Sequence, residues 1–211
     1  MSYAVHEIFY SLQGEGANAG RAAVFCRFAG CNLWSGREED RATAECDFCD
    51  TQFVGTGGDG GDLFPDAQSL ADALYALWPR GAGGRPLVIL TGGEPALQAD
   101  AALIDTLKSK GFEIAVETNG TRALPPGIDW ICVSPKGHAD LAVTAGDELK
   151  LVYPQKGVDP DRFTGLDFRH FFLQPKAGAE EKQNALMAMD YCRHHARWRL
   201  GLQIHKLLGI R

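Results

Sequence analysis

A chain of 211 residues, 45% hydrophobic and 23% charged, has enough material for one substantial globular domain and would make two cramped ones. The composition argues against disorder, and no run of about 18 apolar residues offers a spanning helix. The start, Met1-Ser2-Tyr3-Ala4-Val5, lacks the basic and apolar stretches of a secretory signal, and the net charge of −6 argues against a surface built to neutralise phosphates. A cytoplasmic protein with a small-molecule partner, no nucleic acid and no membrane is therefore expected.

Residues Tyr3 to Tyr10 mix β-branched and aromatic types as a strand does, and Gln13-Gly14-Glu15-Gly16 breaks it. Ala22 to Phe28 is a second strand, with Val24, Cys26 and Phe28 on one face and Phe25 and Arg27 on the other. A polar stretch, Asn32 to Glu45, leads to Cys46-Asp47-Phe48-Cys49-Asp50-Thr51, and the Gly/Asp-rich residues Gly55 to Asp62 form a further loop. Pro65-Asp66 opens a helix with Leu70, Leu74 and Leu77 at helical spacing, ended by the breakers from Pro79 to Gly84. Leu87 to Leu90 reads as a buried strand that stops at Thr91-Gly92-Gly93-Glu94-Pro95. Leu103, Ile104 and Leu107 mark a second helix closed by Gly111. Strands are expected at Phe112 to Glu117, Trp130 to Ser134, Leu149 to Tyr153 and Phe168 to Leu173. A third helix follows at about Ala179 to Ala196, then a last strand near Leu200 to Ile204.

Buried strands alternating with helices point to an α/β fold with a parallel sheet. A full eightfold barrel uses about 250 residues, and here several strands follow one another without a helix, so an incomplete TIM-like β/α barrel is expected as a single domain over residues 1–211. In such a barrel the carboxyl ends of the strands share one face. Thr91-Gly92-Gly93-Glu94-Pro95, Thr118-Asn119-Gly120, Ser134-Pro135-Lys136 and Gln174-Pro175-Lys176 would all converge there.

The cysteines carry the sharper signal. Six of them in a reducing compartment are poor disulfide candidates, and Cys46 and Cys49 form a CxxC that brings two thiolates together. With Cys31 and Cys26 added, a four-thiolate zinc site is one reading. Strand alternation places Cys26 on a packing face, and Cys132 and Cys192 read as core residues too. Three thiolates without a fourth suit a [4Fe–4S] cluster whose remaining iron stays open.

Cys31, Cys46-Asp47-Phe48-Cys49 and the Gly92-Gly93-Glu94 element resemble the radical S-adenosylmethionine (SAM) superfamily, although Asn32 to Glu45 stretches its CxxxCxxC spacing. A lengthened loop costs little entropy and need not abolish the site. Glu7-Ile8-Phe9-Tyr10-Ser11-Leu12-Gln13-Gly14-Glu15-Gly16, Val24-Phe25-Cys26-Arg27-Phe28-Ala29-Gly30-Cys31-Asn32-Leu33 and Cys49-Asp50-Thr51 resemble more narrowly the 7-carboxy-7-deazaguanine synthase family. Glu117-Thr118-Asn119-Gly120 and the two later lysine-ending elements extend the likeness.

That resemblance implies a SAM- and Mg2+-dependent carbon–nitrogen lyase. It would convert 6-carboxy-5,6,7,8-tetrahydropterin to 7-carboxy-7-deazaguanine with loss of ammonia, in queuosine and 7-deazapurine biosynthesis. Hydrogen abstraction from C6 by a 5′-deoxyadenosyl radical would be followed by ring contraction, in a homodimer served by a reductant such as a flavodoxin or ferredoxin.

It also implies a set of roles. An N-terminal segment of about residues 1–20 would bind substrate, through Leu12, Gln13, Gly14 and Glu15, and an extended loop over 31–49 would bind the cluster through Cys31, Cys46 and Cys49. Arg27 would take the substrate carboxylate, its other use being an ion pair with Glu15 or Glu117. Thr91 would face the substrate, and Arg211, after a tucked-in apolar tail, would reach it through its carboxylate or backbone. Phe48, Cys49, Asp50, Gly93, Glu117, Ser134, Pro135, Lys136, Leu173, Gln174, Pro175 and Lys176 would bind SAM. Thr51 would hold Mg2+, with Asp50 beside it as another oxygen donor. Two competing classes stand beside this reading: a radical SAM activating enzyme acting on a partner protein, and a zinc-stapled binding module.

Overall fold

The computed structural model describes residues 1–211. β1 (Tyr3–Leu12) and β2 (Ala22–Phe28) pair antiparallel, and β3 (Asp62–Phe64) adds a short antiparallel edge to β1. Beyond β2 every pairing is parallel, through β4 (Leu87–Gly92), β5 (Glu113–Thr118), β6 (Trp130–Val133), β7 (Ala145–Tyr153), β8 (Asp167–Pro175) and β9 (Trp198–Leu200). The nine strands lie in the order β3-β1-β2-β4-β5-β6-β7-β8-β9, so the sheet ends at β3 and β9. The helices are α1 (Ala67–Leu77), α2 (Ala101–Ser109), α3 (Glu181–His194) and α4 (Ile204–Leu208). This is the expected α/β fold with a mostly parallel sheet, and no helix is long and apolar enough to cross a membrane.

Side-chain alternation decides which face of the sheet the helices cover. Val24, Cys26 and Phe28 of β2 point with Val88 and Leu90 of β4 into a core that Leu70 and Leu74 of α1 and Leu103 and Leu107 of α2 close from outside. Phe25 points the other way, into a smaller cluster with Phe9, Leu87, Ile89 and Ala115. Cys26 is fully buried in the helix-side core, as its phase in β2 predicts. Cys132 is also buried, and Cys192 packs against a second core built on β7, β8, α3 and β9.

The helix ends follow local rules. Asp66 caps α1 by accepting from Ser69 N, and Asp100 caps α2 by accepting from Leu103 N at 2.9 Å. Gly111 closes α2 at φ +86°, where Gly111 N donates to Lys108 O and Phe112 N to Leu107 O. That double bond pattern needs a left-handed residue. Asp100 also accepts from the hydroxyl of buried Tyr3 at 2.7 Å. Asp100→Ala should therefore cost about 2–4 kcal/mol, a lost cap plus an orphaned phenol, read as a lower denaturant midpoint.

Four sequence expectations change. The last strand lies at Trp198–Leu200, because buried Trp198 pairs with Phe171, and Ile204–Leu208 is helical instead. β7 begins at Ala145, well before Leu149, because Gly146 and Glu148 pair with Phe168 and His170. β3 went unread because it begins at Asp62, where the glycine-rich stretch expected to be loop ends. The apolar tail is not tucked in: Leu207 and Leu208 are 74% and 62% exposed.

Candidate functional site

The parallel strands end on one side of the sheet, and a cavity of about 510 Å³ opens there. Of the residues expected to bind substrate, Leu12, Gln13, Gly14, Glu15, Arg27, Thr91 and Arg211 all line it. So do Phe48, Cys49, Asp50, Gly93, Glu117, Ser134, Lys136, Gln174, Pro175 and Lys176 from the SAM set, and Cys31, Cys46, Cys49 and Thr51 from the metal set. Pro135 and Leu173 do not. Leu173 is fully buried in the second core, and its carbonyl accepts from Gly201 N, while the Pro135 carbonyl accepts from Gln155.

Cys31 follows β2, and its sulfur accepts from Leu33 N at 3.5 Å and from Trp34 N. Cys46 and Cys49 hydrogen-bond to each other. That contact, with the Thr51 N–H and the Lys136 cation, draws the Cys49 thiol down to about 6, while the same contact and burial push Cys46 up. Sulfurs that receive backbone N–H donors beside a lysine are suited to the thiolate state that iron requires. Cys26 sits in the helix-side core and takes no part, which removes the fourth thiolate of a zinc site. No three His, Cys, Asp or Glu side chains crowd closely enough to grip a single ion.

The turn after β4 is built against the cysteine loop. A side chain at Gly93 would place Cβ 2.0 Å from Gly30 O and 3.1 Å from Cys31 Cβ, so only glycine lets the two backbones meet. Glu94 N donates to Gly30 O at 2.9 Å. The Glu94 carboxylate, fully buried, accepts from Thr118 Oγ1 at 2.6 Å, Asn119 N at 2.7 Å and Ala96 N at 2.9 Å. Burial outweighs these donors and holds its carboxyl above the usual range. One side chain thus ties the end of β4 to the end of β5.

The long stretch between Cys31 and Cys46 has structure of its own. A 3-10 segment at Glu38–Thr43 presents Arg41, whose guanidinium lies 4.1 Å over the Trp34 ring. Its Nη1 donates to the carbonyls of Asp47 and Cys49 at 3.0 and 3.1 Å. Trp34 in turn meets Phe53 edge-on at 5.6 Å. Arg41→Gln should leave the fold intact yet speed chelator extraction of iron from the loaded protein by roughly tenfold, because two charge-assisted bonds to the loop are lost.

Also lining the cavity, Gln13, Glu15, Glu117 and Lys150 form a linked polar cluster. Lys150, 5% exposed, bridges Glu15 and Glu117. Burial would push the Glu15 carboxyl up, but Lys150 and the donors Lys150 and Gln203 overcome it and hold Glu15 at about 2. Glu15 is thus depressed relative to an unfolded glutamate, and its stabilising contribution, complete above the ordinary carboxylate range, is lost only as pH falls toward 2. Acid unfolding monitored by circular dichroism should accordingly begin at higher pH in Glu15→Gln, which lacks that charge.

Arg27 pairs with Glu7 rather than Glu15 or Glu117: its Nε donates to Glu7 Oε1 at 2.7 Å, and Arg211 donates to the other Glu7 oxygen at 2.7 Å. Asp50 is engaged by Lys206 at 2.8 Å. Cavity-lining residues to which sequence reasoning gave no role include Glu7, Lys150, Gln203, His205 and Lys206. Glu148 and Lys150 alternate with the buried Leu149 and Leu151, and that period-two charge pattern was the available signal. His205 and Lys206 lie just beyond the segment expected to be a strand, in the short helix α4, and nothing local marks them.

No family model matches the chain. It is 61% identical to the 7-carboxy-7-deazaguanine synthase of Bradyrhizobium diazoefficiens and 58% identical to that of Bordetella pertussis, in each case across 100% of both chains. The 7-carboxy-7-deazaguanine synthase of Bacteroides thetaiotaomicron is 44% identical over 98% of each. The crystal structure of QueE from Escherichia coli superimposes with a TM-score of 0.65 at 25% identity, over 97% of this chain and 95% of that one. Full-length likeness at this level, on a fold that brings the three spaced thiols and the Gly93 turn to one cavity, assigns the chain to the 7-carboxy-7-deazaguanine synthase family.

Proposed function

We propose that this protein is a lyase of queuosine biosynthesis that converts 6-carboxy-5,6,7,8-tetrahydropterin to 7-carboxy-7-deazaguanine with loss of ammonia. The observation that carries the reading is the meeting of Cys31, Cys46, Cys49 and the Gly93 turn at one end of a cavity whose other residues include Arg27, Glu15 and Glu117. A partial TIM-like curvature of the sheet is supported by the bonds that Gln13 and Glu15, beyond the end of β1, make with Glu117 on β5, Lys150 on β7 and Gln174 on β8.

Cys31, Cys46 and Cys49 would hold a [4Fe–4S] cluster, with SAM seated between Phe48, Gly93, Ser134, Lys136 and the Gln174–Lys176 turn. When bound, the pair supplies a 5′-deoxyadenosyl radical that takes a hydrogen atom from the substrate. The chain's own part is placement and exclusion of water. Arg27, anchored through Nε on Glu7, keeps its two Nη groups for the substrate carboxylate. Asp50 gives one carboxylate oxygen to Lys206, and the Thr51 hydroxyl beside the cysteine loop would hold Mg2+, substrate and water completing its shell. A flavodoxin or ferredoxin in the cytoplasm would supply the electron, a setting that six free thiols suit. Exposed Leu207 and Leu208 offer an apolar face for a homodimer, which light scattering would detect.

Anaerobically reconstituted protein given the tetrahydropterin, SAM, dithionite and magnesium should release carboxydeazaguanine. An intact cluster with no product would refute the assignment. Arg27→Met should raise KM by about tenfold to a hundredfold, the cost of a charge-assisted pair to a carboxylate, with kcat changed less.

A further inference from the structure

Lys150 is a buried cation on β7 held between two carboxylates from other parts of the chain, and the two are not equivalent. Glu15 is saturated: Oε1 accepts from Gln174 Nε2 at 3.1 Å and Gln203 Nε2 at 2.7 Å, and Oε2 accepts from Lys150. Glu117 is only half used. Its Oε1 accepts from Gln13 Nε2 at 2.8 Å and faces Lys150 Nζ at 3.5 Å, whereas Oε2 has a single long contact, 3.4 Å to Thr91 Oγ1. The Glu117 side chain is also the more open, 24% exposed against 13% for Glu15 and 6% for Lys150, and it lines the cavity.

We infer that Lys150 is a positioning residue for the pterin reaction: locked in place by Glu15, it draws one Glu117 oxygen toward itself and leaves the other turned to the cavity, where it accepts from the N–H edge of the pterin pyrimidine ring. The inference rests on the proposed function. A pterin carries an amino group and a ring N–H side by side, two donors of the kind that a carboxylate accepts best when charged. A carboxyl that took up a proton would turn a donor toward a donor and lose the contact.

Lys150 is the cation in an acidic surround. Around it stand Glu15 before the first 3-10 turn, Glu117 on β5, Cys132 on β6, Glu148 on β7 and His205 on α4. Glu148 accepts from Ala17 N at 2.8 Å and from the Cys132 thiol, and burial holds its carboxyl above the usual range. Lys150 is the only lysine or arginine in this acidic group, so its removal leaves neighbouring carboxylates that must share a proton.

The test is a fluorescence titration with 6-carboxypterin in the presence of magnesium, across the weakly acid to weakly alkaline range, for unaltered protein and Lys150→Met. The ratio of the variant Kd to the unaltered Kd cancels the probe's own titration. It should be about tenfold or more at neutral pH and fall steadily as pH rises. A ratio that does not change with pH would overturn the inference. Should Lys150→Met fail to fold, Glu15→Gln is compared with Glu15→Gln/Lys150→Met, which loses one charge of each sign. The second should bind about tenfold more weakly than the first, and equal binding would again overturn the role. Unaltered protein that bound no 6-carboxypterin at all would remove the pterin reading itself, a result distinct from either.

Discussion

Changing any one of Cys31, Cys46 or Cys49 to Ala is expected to strip most of the bound iron and to cut product formation by about a thousandfold or more, since the step that starts the chemistry is then unavailable. Absorbance and iron content of the anaerobic protein give the first reading, and turnover the second. The control is Cys26→Ala. Cys26 is fully buried in the helix-side core and outside the cavity, so its loss should lower stability modestly and leave iron and the visible spectrum unchanged. Equal loss of iron in Cys26→Ala would restore the four-thiolate site that Cx4C and CxxC also permit. All six thiols are free in the fold, so none of the four substitutions disturbs a disulfide.

Glu94→Ala is the second large effect, and it acts on the fold and the site together. The substitution removes a buried acceptor and leaves Thr118 Oγ1, Asn119 N and Ala96 N without their partner. Orphaned donors at such a site each cost on the order of 1–3 kcal/mol, so a loss of about 4 kcal/mol is expected after some relaxation. Glu94→Gln tests the chemistry more finely, because it keeps the shape and one acceptor oxygen but places an amide donor beside Asn119 N. It should lose less stability than Glu94→Ala, yet still loosen the Gly93 turn from Gly30 and the cysteine loop. Chemical unfolding measures the first part, and calorimetric SAM binding to the iron-loaded protein measures the second. Wild-type SAM affinity in a stably folded Glu94→Ala would mean that the turn is held by Gly93 packing alone.

Much of this was legible from local rules. β2 was read to the residue because its alternation is strict and both faces are buried, while α1 was legible because Pro65-Asp66 opens an apolar stripe and α2 because Gly111 closes one. The elements that escaped depend on remote partners. β3 is three residues whose strand character comes only from pairing with Tyr3, Ala4 and Val5. The first four residues of β7 are polar or small and become a strand by lying between β6 and β8. At the site, short motifs announced the strand ends, but Lys150 and His205 belong to no motif, and their meaning comes from the carboxylates or glycines that the fold sets against them. The imidazole of His205 fills the space where a side chain at Gly14 would stand, 2.2 Å from Nδ1, a complementarity between positions almost the whole chain apart.

The Trp34–Arg41 stack bears on how the finished enzyme is assembled. A loop that closes only when iron arrives must surrender its conformational entropy at that moment, and the metal's apparent affinity falls accordingly. Here the main chain of Asp47 and Cys49 is gripped by an arginine seated on a tryptophan, contacts that need no metal, so protein bonds meet part of that ordering cost. An apoprotein of this kind should resist limited proteolysis between residues 31 and 49 almost as well as the loaded form. The residues that lengthen the loop thereby lower the entropy that cluster binding must offset.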